Sequence, residues 1–243
     1  MYVDCAECPL RRSAAFRPMS DAELQFVRAI KFDQRRIPAR SEILVAGESG
    51  RTIYTLFSGW AFRYMSLGDD RRQILDLSLP GDLIGLQAPM TGRITHSVRS
   101  ITEVRLCFLS NGGFQDLFAD LPSLSEALVA TLLMEEQRAD ARLLMLGRQR
   151  PTERLAYLLL ETQERLIRRG WHAEERFEFP LTYMHLADLL GLSRSQVASS
   201  LRELRQRQWA IVADGQALMQ DTTEMAAACS YEGLAEPTLR ALI

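Results

Sequence analysis

Histidine is scarce in this chain: His96, His172 and His185 are the three among 243 residues, and they lie far apart. No Ser-His-Asp set assembles from them, no Gly-rich phosphate loop is present, and no carboxylates pair at a useful spacing, so an enzyme is not expected. Long apolar runs are missing too. No stretch reaches eighteen apolar residues, and the opening MYVDCAECPLRR lacks the apolar core of a signal peptide, which points to a cytoplasmic protein without a membrane partner. Excess charge is also absent, since 29 Lys and Arg against 31 Asp and Glu leave a net charge of −2. Any nucleic-acid contact must therefore come from a local basic patch. Four unevenly spread cysteines do not make a disulfide scaffold in a reducing compartment, and metal, redox or inert roles remain for them. No strand-helix alternation runs through the chain, so no Rossmann unit is expected.

What is present is ordinary in bulk, with 47% apolar and 25% charged residues, and long enough for two modest domains. The most informative stretch is LTYMHLADLLGLSRSQVASSLRELRQR, residues 181–207. Leu186, Ala187 and Leu190 recur at helical spacing until Gly191-Leu192-Ser193 interrupts them. Glycine supplies the positive φ of a helix stop, and Ser193 is placed to cap a second helix. That helix keeps Val197, Leu201 and Leu204 as its buried stripe. Its other faces carry Arg194, Ser195, Gln196, Ser199, Ser200, Arg202, Arg205 and Arg207, with Glu203 the only acid. Hydrogen-bonding side chains at the start of a second helix, with arginines behind, match a DNA-reading helix-turn-helix. A merely solvated basic helix is the plainer alternative. His185, where the first helix begins, reads as a cap or a phosphate contact.

The rest of the chain divides by texture. Residues 1 to about 18 form a cysteine-containing arm, and Ser20-Asp21-Ala22-Glu23-Leu24 opens a capped helix lasting to about Ile30. From about 33 to 110 come short runs: 43–45, 53–57, 61–67 and 73–79, broken by Gly, Pro and Asp. Turn signals every eight to twelve residues predict an antiparallel barrel or roll. Residues 123–146 read as one long helix with Leu124, Leu128, Leu132, Ala139, Leu143 and Leu146 near heptad spacing, a stripe able to pack on its own domain or to pair with its copy in a second subunit. Glu135, Glu136 and Asp140 interrupt it. Gly147-Arg148-Gln149-Arg150-Pro151 is the predicted domain boundary, giving a sensor domain 1–120, a dimerisation helix 121–147 and a DNA-binding domain 148–243. Thr152–Arg169 is a further amphipathic helix. Phe177-Glu178-Phe179 leads into the helix-turn-helix, and Ala210-Ile211-Val212, Asp214-Gly215, Ala217-Leu218-Met219 spell a hairpin wing. Residues 221–243 read as a small terminal helix.

This order of parts resembles the CRP/FNR family of bacterial transcription regulators, and more closely its FNR-like branch. The likeness runs through Leu56-Phe57-Ser58-Gly59, Arg71-Arg72-Gln73-Ile74-Leu75, Pro80-Gly81-Asp82-Leu83-Ile84-Gly85, Thr152-Glu153-Arg154-Leu155-Ala156 and residues 186–193, and it covers nearly the whole chain. It implies an α+β fold: an N-terminal antiparallel β-roll of cyclic-nucleotide-binding type, a long dimerisation helix and a C-terminal winged helix-turn-helix. It further implies a homodimer on an inverted repeat of double-stranded DNA, with recognition helices about 34 Å apart, and RNA polymerase as a partner.

The family's cyclic-nucleotide members hold the ligand with a Gly-Glu-Leu segment and an Arg-Ser pair. Here Gly81-Asp82-Leu83 has a shorter acid, and Ile94-Thr95 stands where the Arg-Ser pair belongs. A buried phosphate without its bidentate cation is costly, which speaks against cAMP. Arg93 and Arg99 are near in sequence, but strand alternation does not bring either to that spot. The oxygen-sensing members resemble this chain in having N-terminal cysteines and another late in the roll. Cys5 and Cys8 form a C-x-x-C pair, and Cys107 lies on the strand face opposite Val104, Leu106 and Phe108. The resemblance makes Cys5, Cys8 and Cys107 candidate ligands of an iron–sulfur cluster. The family's third N-terminal cysteine is replaced by Ser13-Ala14-Ala15, so a cluster would need Asp4, Glu7, water or a small thiol, with Cys229 poorly placed for the task. Redox thiols, another metal and a cofactor-independent regulator stay open beside it.

In family members the positions of Arg194, Ser195 and Ser199 make most base contacts, commonly with Glu at the second and Arg at the third. Both are Ser here, so a cytosine-reading Glu and a guanine-reading Arg are absent and the family's half-site does not carry over. Arg194 is the predicted guanine reader, Gln196 reads adenine or phosphate, and Ser195, Ser199 and Ser200 bond bases, phosphates or water. Arg202, Arg205 and Arg207 are expected at phosphates, or serve simply to keep the helix soluble. A cyclic-nucleotide-type regulatory subunit that binds no DNA is the reading from another class.

Overall fold

The computed structural model describes residues 2–13, 15–50, 52–69, 71–87, 91–171, 173–234, 240 and 242. Ala14, His172 and most of the 235–243 tail, all within stretches read above, lie outside them. The chain forms two compact units: residues 1–132 with 238–243, and residues 133–237.

The first unit opens with the arm, which carries a 3-10 turn over Pro9–Arg12. Helix α1 (Asp21–Ile30) starts where the sequence places it: the Ser20 hydroxyl accepts from the Glu23 amide, and the Glu23 carboxylate accepts from the Ser20 amide. Glu23 is almost fully buried and also receives Arg17 at 3.0 Å and the Ser123 hydroxyl at 2.8 Å, tying arm, α1 and a later helix together. Eight strands follow: β1 (Lys31–Ile37), β2 (Glu42–Leu44), β3 (Thr52–Ser58), β4 (Ala61–Ser66), β5 (Arg72–Ser78), β6 (Leu83–Ile84), β7 (Ser97–Ser100) and β8 (Val104–Ser110). They make two antiparallel sheets ordered β1-β8-β3-β6 and β2-β7-β4-β5, the expected roll.

Strand β8 runs between β1 and β3, with Cys107 opposite Gln34 on one side and Thr55 on the other. Val104 and Leu106, with Phe108 beside them, pack into one core with Leu56, Ile84 and Val98. On the opposite face Leu109 joins Val27, Ile30 and Ile53 in a second core against which Cys5 packs. Both faces of β8 are therefore covered, as the period of two requires for a mostly apolar strand in mid-sheet. Gly81 sits at φ +91, and a Cβ built there would lie 2.1 Å from the Phe16 ring, so the arm presses on a site that only glycine leaves open.

Helix α2 (Phe114–Asp120) leads into α3 (Pro122–Arg148). At its start the apolar stripe foreseen on α3 packs on its own domain, one of the two uses read from the sequence. Leu124 and Leu128 are buried in the roll's second core, because the first turns of α3 cover that core. The large apolar side chains left exposed on α3 are Val129, Leu132, Leu133, Leu143 and Leu144, with Ala139 exposed among them.

In the second unit α4 (Pro151–Arg168) buries Leu155, Leu158, Leu159 and Leu166 and receives the later part of α3 through a buried ion pair. Arg142 Nη2 lies 3.2 and 3.1 Å from the two Glu161 carboxylate oxygens. Strand β9 (Arg176–Glu178), α5 (Tyr183–Leu190), α6 (Arg194–Gln206), β10 (Ala210–Ala213), β11 (Gln216–Met219) and α7 (Thr222–Cys229) follow. The wing is a three-stranded sheet, β10-β11-β9, whose hairpin tip has positive φ at Asp214 and Gly215, as a tight two-residue turn demands.

Candidate DNA interface and cysteine pocket

Helix α5 begins with a capping box: the His185 amide donates to the Thr182 hydroxyl at 3.2 Å, and His185 Nδ1 accepts from the Thr182 amide at 3.3 Å. His185 is thus a cap, one of the two roles read from its position. Gly191 ends α5 in the left-handed region at φ 62, ψ 40, turning the chain into α6. Arg154 donates to the freed Leu190 carbonyl at 2.9 Å and to the Gln149 carbonyl at 2.9 Å, so a cation from α4 locks the turn.

Helix α6 starts at Ser193. Its hydroxyl accepts from the Gln196 amide at 3.2 Å, and its amide donates to Gln196 Oε1 at 2.8 Å. The Ser193 and Ser195 hydroxyls lie 2.9 Å apart. Val197 and Leu204 are buried and Leu201 half-buried, as the stripe foresees. Arg194, Ser195, Gln196, Ser199 and Arg202 share the exposed surface, and Arg205 and Arg207 continue it. Ser200 does not. It is buried, with its hydroxyl 3.4 Å from that of Thr152, because its place on α6 turns it toward α4; a side chain enclosed there is not offered to a duplex. Gln196 has its Oε1 committed to the cap, which leaves the amide nitrogen as its free function. Glu203 accepts from the Thr152 hydroxyl at 2.6 Å and from Arg207 Nε at 2.9 Å, and these bonds hold its carboxyl below the usual range. The Thr152-Glu153-Arg154 segment thus has local work. Thr152 binds α6, Glu153 accepts from the Arg150 amide at 2.8 Å, and Arg154 caps α5. Sequence reading found the motif and missed these roles.

In the first unit Cys5, Cys8 and Cys107 line one pocket, together with Arg11, Lys31, Leu24, Val27, Leu109 and Leu242. Two β1 side chains fasten the arm there. Gln34 accepts from the Val3 amide at 2.8 Å and donates to Cys107 Sγ at 3.5 Å, while Lys31 donates to the Val3 carbonyl at 2.6 Å and stands over the Tyr2 ring. Lys31 and Gln34 carry no motif, and only the strand register marks them. Burial pushes the Cys5 and Cys107 thiols up, partly countered by the Lys31 charge. Cys229 lies in the second unit, buried on α7 and pushed up to about 11 by that burial.

An iron–sulfur cluster needs thiolates converging at ligand distances. Among the described residues no group of three or more His, Cys, Asp or Glu is arranged to hold a metal ion. As folded, the described residues around the pocket present no cluster ligand set. At the roll's other candidate ligand position Asp82 is buried and already paired, its Oδ1 2.9 Å from Arg240 Nη1 and its Oδ2 accepting from the Leu79 amide at 2.8 Å. Ile94 is buried in the adjacent core.

The cyclic nucleotide-binding domain family matches residues 34–120, and the Crp-like helix-turn-helix domain family matches residues 153–227. The nitrogen fixation regulation protein FixK of Bradyrhizobium diazoefficiens is 30% identical over 203 residues, 82% of this chain and 83% of that protein. The transcriptional activator protein FnrL of Cereibacter sphaeroides is 27% identical over 204 residues, 83% of this chain and 81% of its own length. The solved structure of FixK2 from Bradyrhizobium japonicum superposes with a TM-score of 0.73 at 23% identity, over 81% of this chain and 96% of that one, which shows the fold. With roll, long helix and winged helix-turn-helix in place, the chain belongs to the CRP/FNR family of transcription regulators.

Proposed function

We propose that this regulator acts as a cytoplasmic homodimer that reads an inverted repeat with α6 and takes its signal through the thiols of Cys5, Cys8 and Cys107. The observation that carries the sensing half is their meeting in one pocket from sequence positions about a hundred residues apart. The DNA half rests on the exposed row Arg194, Ser195, Gln196, Ser199 and Arg202, with Arg194 as guanine reader and Arg202, Arg205 and Arg207 at phosphates. The exposed apolar side chains of α3, a strip interrupted by Glu136 and Asp140, supply the surface for a second copy. RNA polymerase is the protein partner that the family resemblance implies.

For the signal, two cysteines three residues apart and a third across the pocket suit reversible thiol chemistry better than a four-ligand cluster. The raised thiols favour a second reading, a cofactor-independent regulator controlled by its own abundance. The experiment is anaerobic purification with a visible spectrum, iron, sulfide and thiol counts. Affinity for selected palindromic DNA is then measured before and after oxidation, in the parent and in Cys5→Ser and Cys107→Ser. A thiol-dependent change in affinity, lost in both variants, supports the sensor. Equal affinity in every state leaves the abundance-controlled regulator. A brown, iron- and sulfide-containing protein that bleaches in air restores the cluster. Arg194→Ala tests the interface: one bidentate guanine contact is worth about 1–3 kcal/mol per half-site, and the loss should be confined to one base position.

A further inference from the structure

The three thiols of the pocket differ in what holds them. Cys5 and Cys8 ride half-buried on the arm, whereas Cys107 is 8% exposed in the middle of β8, between β1 and β3. Gln34 donates to Cys107 Sγ at 3.5 Å while its Oε1 is taken by the Val3 amide, so the donor is fixed on the sulfur from both ends. The Lys31 charge also acts on Cys107 and offsets part of the burial that retains its proton. A sulfur given a hydrogen-bond donor and a nearby cation has its thiolate supported once formed. The pocket this sulfur lines is of the opposite character. Its free space is about 30 Å³, walled by the apolar side chains of Met19, Leu24, Val27, Phe57 and Leu109. The two cations at its edge are spent on backbone, Lys31 on the Val3 carbonyl and Arg11 on the Cys5 carbonyl at 3.4 Å. Such a space takes a group of about two water-sized units. A charged group would lose its water there and find no partner, so a slender, uncharged end of a molecule is what fits.

We propose that this pocket takes the unsaturated end of a short, uncharged α,β-unsaturated carbonyl compound, and that Cys107 is the residue it modifies. The thiol proton leaves to water, the sulfur pair forms a C–S bond with the β-carbon, and the C=C π pair moves toward the carbonyl oxygen as an enolate. The enolate carbon then takes a proton from water. The sum is addition of S–H across the double bond, and no oxidant is consumed. Gln34 is the positioning residue, since it aims the sulfur and supports its charge before the bond forms. The rest of the adduct exceeds the free space, so a wall must give. The start of the arm, tied down by the two Val3 bonds and a half-exposed Asp4–Arg28 pair at 3.0 Å, is the wall with the weakest hold. What this means for DNA binding rests on the thiol-sensor reading. The selective modification of Cys107 does not.

The test treats the reduced full-length protein with methyl vinyl ketone and with two unsaturated ketones carrying a fixed sulfonate or a fixed trimethylammonium group. Glutathione in the same tube corrects for intrinsic reactivity, and peptide mass spectrometry reads the rate at each cysteine. After correction the uncharged reagent should outpace both charged ones at Cys107 by about tenfold, the cost of stripping water from a charge. Cys229, 1% exposed and in the other unit, should stay unmodified while Cys107 is consumed. Gln34→Glu keeps the acceptor for the Val3 amide but puts a carboxylate on the sulfur; it should slow Cys107 about tenfold at neutral pH and move its pH–rate profile upward. Leu24→Lys, at a half-buried wall position, should abolish the preference for the uncharged reagent and serves if Gln34→Glu loosens the arm. Corrected rates at Cys107 that ignore reagent charge, or Cys229 modified in step with Cys107, overturn the proposal. Selective modification of Cys107 with DNA affinity unchanged would refute the sensor and leave the pocket's chemistry standing. DNA affinity that follows a disulfide oxidant in a protein whose Cys107 shows no such selectivity would do the reverse.

Discussion

Removing one partner of the Arg142–Glu161 pair should unfold the second unit more readily than any surface change on it. Both side chains are nearly enclosed, at 8% and 3% exposure, and a single Nη2 serves both carboxylate oxygens. Glu161→Leu removes the carboxylate bonded to a buried guanidinium in a low-dielectric interior, at a cost of about 3–5 kcal/mol. With a urea slope of about 2 kcal/mol per molar, the midpoint should fall by about 2 M. The double variant Arg142→Met/Glu161→Leu removes both charges and both desolvation costs, and should return to within about 1 kcal/mol of the parent. In a Trp60→Phe background the remaining tryptophans, Trp171 and Trp209, both lie in the second unit, so their fluorescence follows that unit alone. A single variant that loses under about 1 kcal/mol would mean that water reaches the pair. A double variant as unstable as the single would mean the pair is a net source of stability, and the desolvation argument would be refuted.

The exposed apolar strip of α3 predicts that Leu143→Glu, at a side chain 69% exposed, leaves the fold intact but yields monomers by sedimentation at micromolar concentration, with the palindrome lost and single half-site binding weak. An unchanged dimer would remove α3 as the seam. Acid should act through two groups. His96 is lowered from 6.5 to about 4 by burial and the Arg63 charge, so the unfolded chain takes up the proton first and stability falls as pH drops from 6.5 toward 4; His96→Gln should flatten that part of a melting-temperature profile. Glu23 is lowered from 4.5 to about 2, chiefly by Arg17, so its contribution is complete above pH 4.5 and disappears as pH falls toward 2; Glu23→Gln should be less stable at neutral pH and lose less in acid. Gly81→Ala forces a positive φ on alanine and a collision with Phe16, and should cost the roll about 2–4 kcal/mol by urea titration. A neutral result would show that the arm does not hold Phe16 there.

Where the chemistry is local, the sequence was enough. The caps at Ser20 and Ser193, the stop at Gly191 and the Asp214-Gly215 tip all depend on partners within four residues, so spacing specifies them. The roll followed from turn spacing, and the opposite face of Cys107 from strand alternation. The helix α3 was legible in length but not in the use of its faces, since only contact with the roll removes Leu124 and Leu128 from the surface. Ser200 belongs here as well. Residue type and helical position made it a DNA contact, while the packing of α4 made it interior.

The cysteine pocket and the Arg240–Asp82 pair were beyond the sequence for one reason: their members are distant along the chain and meet only when the roll has folded. Gln34 reaches Cys107 across 73 positions because β1 and β8 are neighbours, and Arg240 reaches Asp82 across 158. Composition and spacing determined that this protein has a β-roll, a long helix and a DNA-reading winged helix. Tertiary structure alone decided which thiols share a cavity, which serine is hidden and which cation answers Asp82, because desolvation and ion pairing act between groups in space, whatever their separation along the chain.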